Sequence, residues 1–288
     1  MSSAVFDRQL LRRRRQRALA RGAETFLLDR IATDLAERMA PVLREFAVAV
    51  DLGTAGDAVR RELAGHPGIG IMLGASLLPG DGVTVVADEE ALPFAEGSID
   101  LVVSALALQY VNDLPGTLIQ IRRALKPDGL LLAAMLGGDT LTELRQSFAE
   151  AETEVEGGVS PHVAPFADIR DMGALLQRAG FALPVTDIEK LTVRYSSPVT
   201  LMAELRRMGA TNVLTERRRK PLKRATLLRM AEIYAQRFSD YDGKVRATFE
   251  VIWLSGWAPH ESQQKPLRPG SAQARLADAL GTRETKLP

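Results

Sequence analysis

The sequence contains no cysteine. That excludes disulfides, zinc–thiolate sites, iron–sulfur ligation and thiol nucleophiles. Histidine is nearly as scarce, with His66, His162 and His260 the whole supply. They stand far apart and no His-x-Asp or His-x-Glu pair occurs, so a two-histidine, one-carboxylate metal site has no local signature. No metal ligand is assigned. Aromatic residues make up 5% of the chain. None is interleaved with Arg12-Arg13-Arg14-Arg15, as stacking on single-stranded nucleic acid would require. The formal net charge is +1, so no global field draws nucleic acid, which is not expected as a partner. No apolar run approaches the roughly 18–20 residues that span a bilayer. The basic N-terminus is followed by no apolar core and does not read as a secretory signal.

What is present is a chain of 288 residues, 46% hydrophobic and 25% charged, enough for one large domain or a domain with a subdomain. It is organised around Ala47-Val48-Ala49-Val50-Asp51-Leu52-Gly53-Thr54-Ala55-Gly56-Asp57, which reads as a buried strand, a glycine-containing turn and a helix opening at Ala58. Such a turn aims backbone N–H groups at a ligand over the carboxyl edge of a sheet. Residues 1 to about 40 read as helical, with Arg8 and Arg12–Arg15 on a solvated face and Phe26, Leu27, Ile31, Leu35 and Met39 on a packed one. Strands are expected at 47–50, 68–73, 83–86, 99–104 and 130–136, with helices at 58–64 and 114–125. This alternation implies βαβ units and a mostly parallel sheet. The second half reads as helices 141–154 and 169–179 and an antiparallel edge pair, 188–195 with 247–254, flanking helical segments 198–208 and 220–237. The expected organisation is an N-terminal helical segment 1–45, an α/β core of 46–196 plus 247–257, a helical insertion 197–246 and an extended polar tail 258–288.

Four features fall at the carboxyl ends of parallel strands, where open α/β folds bind ligands. They are Asp51-Leu52-Gly53 with Gly56, Asp88-Glu89, Ser104 through Tyr110, and Gly137-Gly138-Asp139. Asp51 and Asp88 are expected to line one pocket. Asp139 can orient a substrate nitrogen or serve as the N-cap of the next helix. His162 lies in a loop that can cross the sheet edge, or packs at the surface. His260 and Glu261 read as contacts anchoring the tail. Trp253, Trp257 and Tyr195 read as core between the edge pair and the insertion. The run Arg217-Arg218-Arg219-Lys220 reads as a solvated face able to meet an acidic partner surface.

The order and spacing of these features resemble class I S-adenosylmethionine-dependent methyltransferases. Asp88 stands where that class meets the adenine amine, Leu92-Pro93-Phe94 follow at the usual place, and Ile99-Asp100-Leu101-Val102 and Leu125-Lys126-Pro127-Asp128-Gly129 match the next two motifs. The resemblance implies a Rossmann-like three-layer α/β sandwich, mostly parallel, with an antiparallel edge strand and a helical insertion. It implies S-adenosylmethionine as cofactor, held by Asp51, Gly53, Gly56, Asp88, Glu89 and Ser104; Asp139 and His162 are the candidate catalytic groups from their own places at the sheet edge.

A narrower resemblance spans nearly the whole chain. Val5-Phe6-Asp7-Arg8, Tyr110-Val111-Asn112-Asp113-Leu114-Pro115, Gly137-Gly138-Asp139-Thr140-Leu141, Gly157-Gly158-Val159-Ser160-Pro161-His162 and His260-Glu261-Ser262-Gln263 are similar to the methyltransferase-like complex I assembly factors. Mitochondrial members of that family are reported as arginine hydroxylases acting on a complex I subunit. The resemblance implies a protein partner in respiratory complex I assembly and three activities: methylation, protein arginine hydroxylation, or assembly without catalysis. With Phe6-Asp7-Arg8 so near the start, a bacterial cytoplasmic protein is expected, peripheral association with the inner membrane being a second option. The chain departs from the pattern at the turn, where Ala55 and Asp57 replace the second and third glycines, and at the end of the second strand, where no carboxylate is placed for ribose. Gln109 stands where the family carries His.

Overall fold

A computed structural model describes residues 4–264, Ser271, Ala277, Asp278, Gly281 and Thr282. Its helices are α1 (Arg8–Leu19), α2 (Phe26–Met39), α3 (Ala58–Glu62), α4 (Leu114–Ala124), α5 (Thr142–Glu156), α6 (Ile169–Arg178), α7 (Pro198–Arg207) and α8 (Arg224–Phe238). Its strands are β1 (Phe46–Leu52), β2 (Ile69–Ser76), β3 (Val85–Val86), β4 (Ile99–Ala105), β5 (Leu125–Leu136), β6 (Ala182–Tyr195) and β7 (Val245–Trp257). They form one seven-stranded sheet in the order β3-β2-β1-β4-β5-β7-β6. β1 to β5 run parallel, and β7 runs antiparallel to both β5 and β6. The expected antiparallel pair is therefore β6 with β7, and the reversed strand β7 sits one place in from the edge.

Alternation along the strands divides the core into two layers. Leu130, Leu132, Ala134 and Leu136 of β5 pack with α2, α5, α7 and α8, while Leu131, Ala133 and Met135 pack with α4 and α6. Trp253 and Tyr195 are buried in the first layer, with Trp257 packed against it. β6 alternates between half-buried and exposed positions, as an edge strand with one solvated face does.

The expected N-terminal helix is two helices. Gly22, at φ +74°, breaks it, a backbone conformation that glycine adopts without strain. α1 then lies across the rim of the sheet. Its Leu11 and the preceding Phe6 form a third small core with Tyr110, Val213 and Leu214. The expected extended tail falls largely outside the described residues. Within them Ala258 exchanges backbone hydrogen bonds with Asp128 and Gly129. Gln263 donates to the Asp128 carboxylate (3.0 Å) and to the Ala258 carbonyl (2.8 Å). Among the described residues the His260 ring bonds only Ser262, and its carbonyl accepts from the Gln263 amide within the turn, so Gln263 rather than the His260 ring is the anchor. No helix among the described residues is long and apolar enough to cross a membrane.

Candidate functional site

Three cavities follow the carboxyl edge of the sheet and share lining residues. The central one, about 120 Å³, lies over the ends of β1, β4 and β5, lined by Arg15, Gly56, Leu106, Gln109, Tyr110 and Leu141 among others. A second, about 230 Å³, extends toward the end of β2 and shares Arg15, Ala55 and Gly56 while adding Asp57, Ser76 and Asp81. A third, about 200 Å³, extends along α5 and shares Tyr110, Leu141 and Leu205 while adding Phe148, His162 and Asn212. α1 and the end of α7 roof the central cavity through Arg15, Leu19, Leu205 and Met208. Leu106 (φ 52°) and Leu141 (φ 54°) hold left-handed backbone at its wall, strain of a kind that clusters at ligand sites.

The sequence-assigned residues do not all reach these cavities. Gly56 (φ +82°) lines two of them, with open space where a Cβ would stand. Gly53 (φ +74°) is needed for packing: an added Cβ would lie 2.5 Å from Glu89 Oε1 and 2.8 Å from the Ala107 Cβ. Ser104 is buried and its hydroxyl donates to the Leu52 carbonyl (2.7 Å), stitching β4 to β1. Asp51 is buried and paired with Arg60 of α3, whose guanidinium also donates to the Gly56 and Asp81 carbonyls. Burial pushes the Asp51 carboxyl up to about 6, the charge of Arg60 acting against it. Asp88 and Glu89 hold Arg8 of α1, at 2.6 Å for Asp88 Oδ1, with the Tyr110 carbonyl accepting a further bond at 3.2 Å. Neither Asp51 nor Asp88 is among the residues lining these three cavities, and each is turned to an arginine, Arg60 and Arg8 respectively.

Asp139 is half exposed and paired with Lys190 on β6, which lowers its pKa, and it is not among the lining residues. It does not cap α5, which begins after the left-handed Leu141 with no side-chain cap. His162 does reach a cavity. Its ring stacks on Phe148 with centroids 3.9 Å apart, and Nε2 lies 2.9 Å from Glu152 Oε1. Glu152, on α5, also accepts from the Ser160 amide and hydroxyl. Burial raises its pKa, but the bonds from His162 and Ser160 outweigh that and leave it lowered. Among the described residues no group of three or more His, Asp or Glu stands together as a metal site would require.

The sequence reading missed the arginines. Arg8 and Arg15 are not solvated: Arg8 is clamped, and Arg15 is 8% exposed. The signal was the spacing 8, 11, 15, 18, which puts both on the face of α1 that buries Leu11 and Ala18. The basic run is also partly spent inside the fold, since Arg217 pairs with Asp7 and Arg218 with Glu156.

The fit of S-adenosylmethionine to this site turns on the polar atoms the residues leave unpaired. At the β1 side Gly56 gives an open approach to backbone, Arg15 offers its guanidinium, and Gln109 Oε1 is buried without a hydrogen-bond partner among the described residues. The amino-acid end of that cofactor fits this donor and acceptor set. On the adenosine side β2 ends in Ser76, Asp88 is held by Arg8, and the carboxylates lining the cavity among the described residues are Asp57 and Asp81.

A seven-stranded sheet of this order, with its sixth position reversed and a glycine turn after β1, defines the class I methyltransferase fold. The methyltransferase-domain family profile matches residues 24–133. The BH2331 protein of Bacillus halodurans shares the fold, with a TM-score of 0.52 at 18% identity, covering 79% of this chain and 99% of that one. The Danio rerio protein named arginine-hydroxylase NDUFAF5, mitochondrial, is 38% identical over 288 residues, 95% of this chain and 89% of its own length. The chain belongs to the arginine-hydroxylase NDUFAF5 family. It is also similar to the malonyl-[acyl-carrier protein] O-methyltransferase of Gallionella capsiferriformans, 41% identical over 175 residues, but that match covers only 61% of this chain and 58% of the enzyme.

Proposed function

We propose that this chain hydroxylates an arginine side chain of a protein partner, with dioxygen as oxidant and an external two-electron donor, one oxygen atom entering the side chain and the other leaving as water, and, from the sequence resemblance, that the partner is a subunit of respiratory complex I. The observation that carries this reading is the reach of the likeness. Identity with the protein named arginine hydroxylase runs over 95% of the chain, whereas identity with the methyltransferase covers 61%. The cavity along α5 is the substrate end in this reading. It is walled by α7, Asn212 and Val213, residues of the segment between β6 and β7. His162, oriented by Glu152 and stacked on Phe148, is the group there able to carry a proton.

A second reading, S-adenosylmethionine-dependent methylation, is favoured by the unpaired polar atoms over the β1 turn. When bound, that cofactor supplies an electrophilic methyl group. Arg15, Gly56 and Gln109 would hold its amino-acid end, and the roof of α1 and α7 would exclude water from it.

Deletion of the gene in its source organism, with complementation by wild type and by a His162→Phe variant, separates these readings. Arginine-containing peptides of the complex I subunits are compared by mass spectrometry. Loss of a mass gain equal to one oxygen atom on deletion supports hydroxylation, and loss of a gain equal to one methylene group supports methylation. An assembly defect with no mass change on any arginine would sink both and leave assembly without catalysis.

A further inference from the structure

We propose that Arg15 and Gln109 form the seat of an α-amino-acid head group in the central cavity, the guanidinium taking the carboxylate and the Gln109 amide oxygen taking the ammonium group. The inference does not depend on arginine hydroxylation. It rests on the cofactor reading only for the identity of the rest of the ligand.

Arg15 is the first ground. It is 8% exposed and lines both the central cavity and the one toward β2. Its guanidinium stands over the Tyr110 ring, 5.6 Å from the centroid. The carboxylate that acts on it, Glu89, is already held by Arg8, and Arg8 itself repels it. A buried guanidinium without a carboxylate of its own is costly, because both its hydration and its hydrogen bonds are lost. A fold retains such a group where a ligand anion completes it, and a planar guanidinium matches a carboxylate with two parallel hydrogen bonds.

Gln109 is the second and independent ground. It is 5% exposed and lines the same cavity. Its Nε2 donates to the Leu106 carbonyl at 2.9 Å, which fixes the amide orientation, because that acceptor requires a nitrogen. The oxygen Oε1 is then left buried with no partner. An acceptor so placed calls for a donor from a ligand. Donor and acceptor of one small cavity thus match the two ends of a zwitterion. Glu24 also lines the cavity, but Arg207 at 3.1 Å offsets its charge.

The position of Arg15 is fixed rather than incidental. Asp7 caps α1 through the Leu10 amide, and the Arg8 clamp ties its first turn to the loop after β3. Gly209 (φ +71°) at the end of α7 approaches so closely that an added Cβ would lie 3.2 Å from the Arg15 Cα. The rest of the central cavity is mostly apolar, with Leu28, Leu106, Leu136 and Phe249 in its wall, so a bound carboxylate would be poorly screened and strongly held. At about 120 Å³ the cavity suits a head group, and the larger space toward β2 is open to the remainder.

The test is calorimetric titration and thermal shift on the full chain with S-adenosylhomocysteine, with 5′-methylthioadenosine, which lacks the amino-acid group, and with L-methionine. Wild type should bind S-adenosylhomocysteine at least about tenfold more tightly than methylthioadenosine. Arg15→Met should abolish that gap and leave methylthioadenosine binding unchanged, and Gln109→Leu should narrow it. Arg15→Lys, which keeps the charge without the fork, should fall between. Equal affinity of wild type for the two nucleosides would overturn the seat while leaving the cofactor reading standing. If neither nucleoside binds, the cofactor reading falls. A thermal shift with L-methionine that Arg15→Met and Gln109→Leu both remove would then still support the seat, and no shift would overturn it as well.

Discussion

The two ends of the sheet rim are built on opposite rules. Along α5 the carboxylates Glu152 and Glu156 are saturated, although Trp253 Nε1 on the neighbouring β7 is buried without a partner among the described residues. Glu152 accepts from Ser160 and His162, and Glu156 accepts from Arg218, Lys223 and Thr226, bonds that hold its carboxyl down at about 2. These bonds fasten the Gly157–Phe166 loop and the α7–α8 connection onto α5. Toward β1 and β4 the account is incomplete: Arg8 Nε, Glu89 Oε1 and Gln109 Oε1 are buried and unpaired, and Arg15 has an aromatic ring where a carboxylate would serve better. Saturated networks fix a structure, whereas unsaturated ones carry a cost that only a ligand removes. On that basis the first end is held by its own bonds, whereas the second leaves Arg15 and Gln109 facing a cavity.

The strongest way to break the comparison is at the β1 turn itself. Gly53→Ala should destabilise the chain by roughly 3–4 kcal/mol in urea unfolding, because left-handed backbone and a clash with Glu89 add together. Gly56→Ala, equally left-handed but beside open space, should cost only about 1–2 kcal/mol. Equal costs would mean that Glu89 can move aside and the turn is looser than drawn.

Asp51 comes next. Its folded pKa of about 6 lies above the unfolded carboxyl, so the unfolded chain gives up this proton first as pH rises. The contribution is fully present below about pH 4 and is lost as pH climbs through about 6, a swing of about 3 kcal/mol. Asp51→Asn removes the titration. Wild type should therefore lose stability relative to it between those pH values, and parallel curves would show that Arg60 keeps the carboxylate ionised throughout.

On the saturated side, Glu152→Gln should cost about 2 kcal/mol at neutral pH, since Arg218 loses its charge partner and one of the two acceptor oxygens shared by Ser160 and His162 becomes a donor. The lowered pKa of Glu152 means this contribution is present at neutral pH and lost as pH falls below the ordinary carboxylate range, so the two unfolding curves should converge in acid. The smallest effect has the opposite sign. Without ligand, Arg15→Met should raise stability by up to about 1 kcal/mol, because a poorly paired buried charge becomes an apolar side chain of similar length. A loss of stability instead would place Arg15 with the scaffold.

Much of the fold could be read along the chain because its signals are local. β4 and residues 49–52 of β1 are short runs buried on both faces, and the β5 alternation from Leu130 to Leu136 serves both layers. The Asp113 cap before α4 and Gly157 after α5 punctuate the helices as such residues do. The candidate site was less legible. Asp51, Glu89 and Ser104 are at the strand ends where ligands bind, yet their side chains are turned to Arg60, Arg8 and the Leu52 carbonyl. Sequence position gives the end of a strand, not the direction of a carboxylate.

By itself, then, the sequence determined the order of strands and helices, the glycine turn and its missing glycines, and the absence of thiol chemistry, since each depends on composition or on residues a few places apart. Only the tertiary structure decided which arginines are spent. Arg8, Arg217 and Arg218 each meet a carboxylate, while Arg15, in a similar basic run, meets a ring and a cavity. The physical reason is that pairing of a charge depends on what folds against it from distant parts of the chain. Asp88 and Glu89 reach Arg8 across some eighty residues, and Tyr110 and Gly209 confine Arg15 from two further elements.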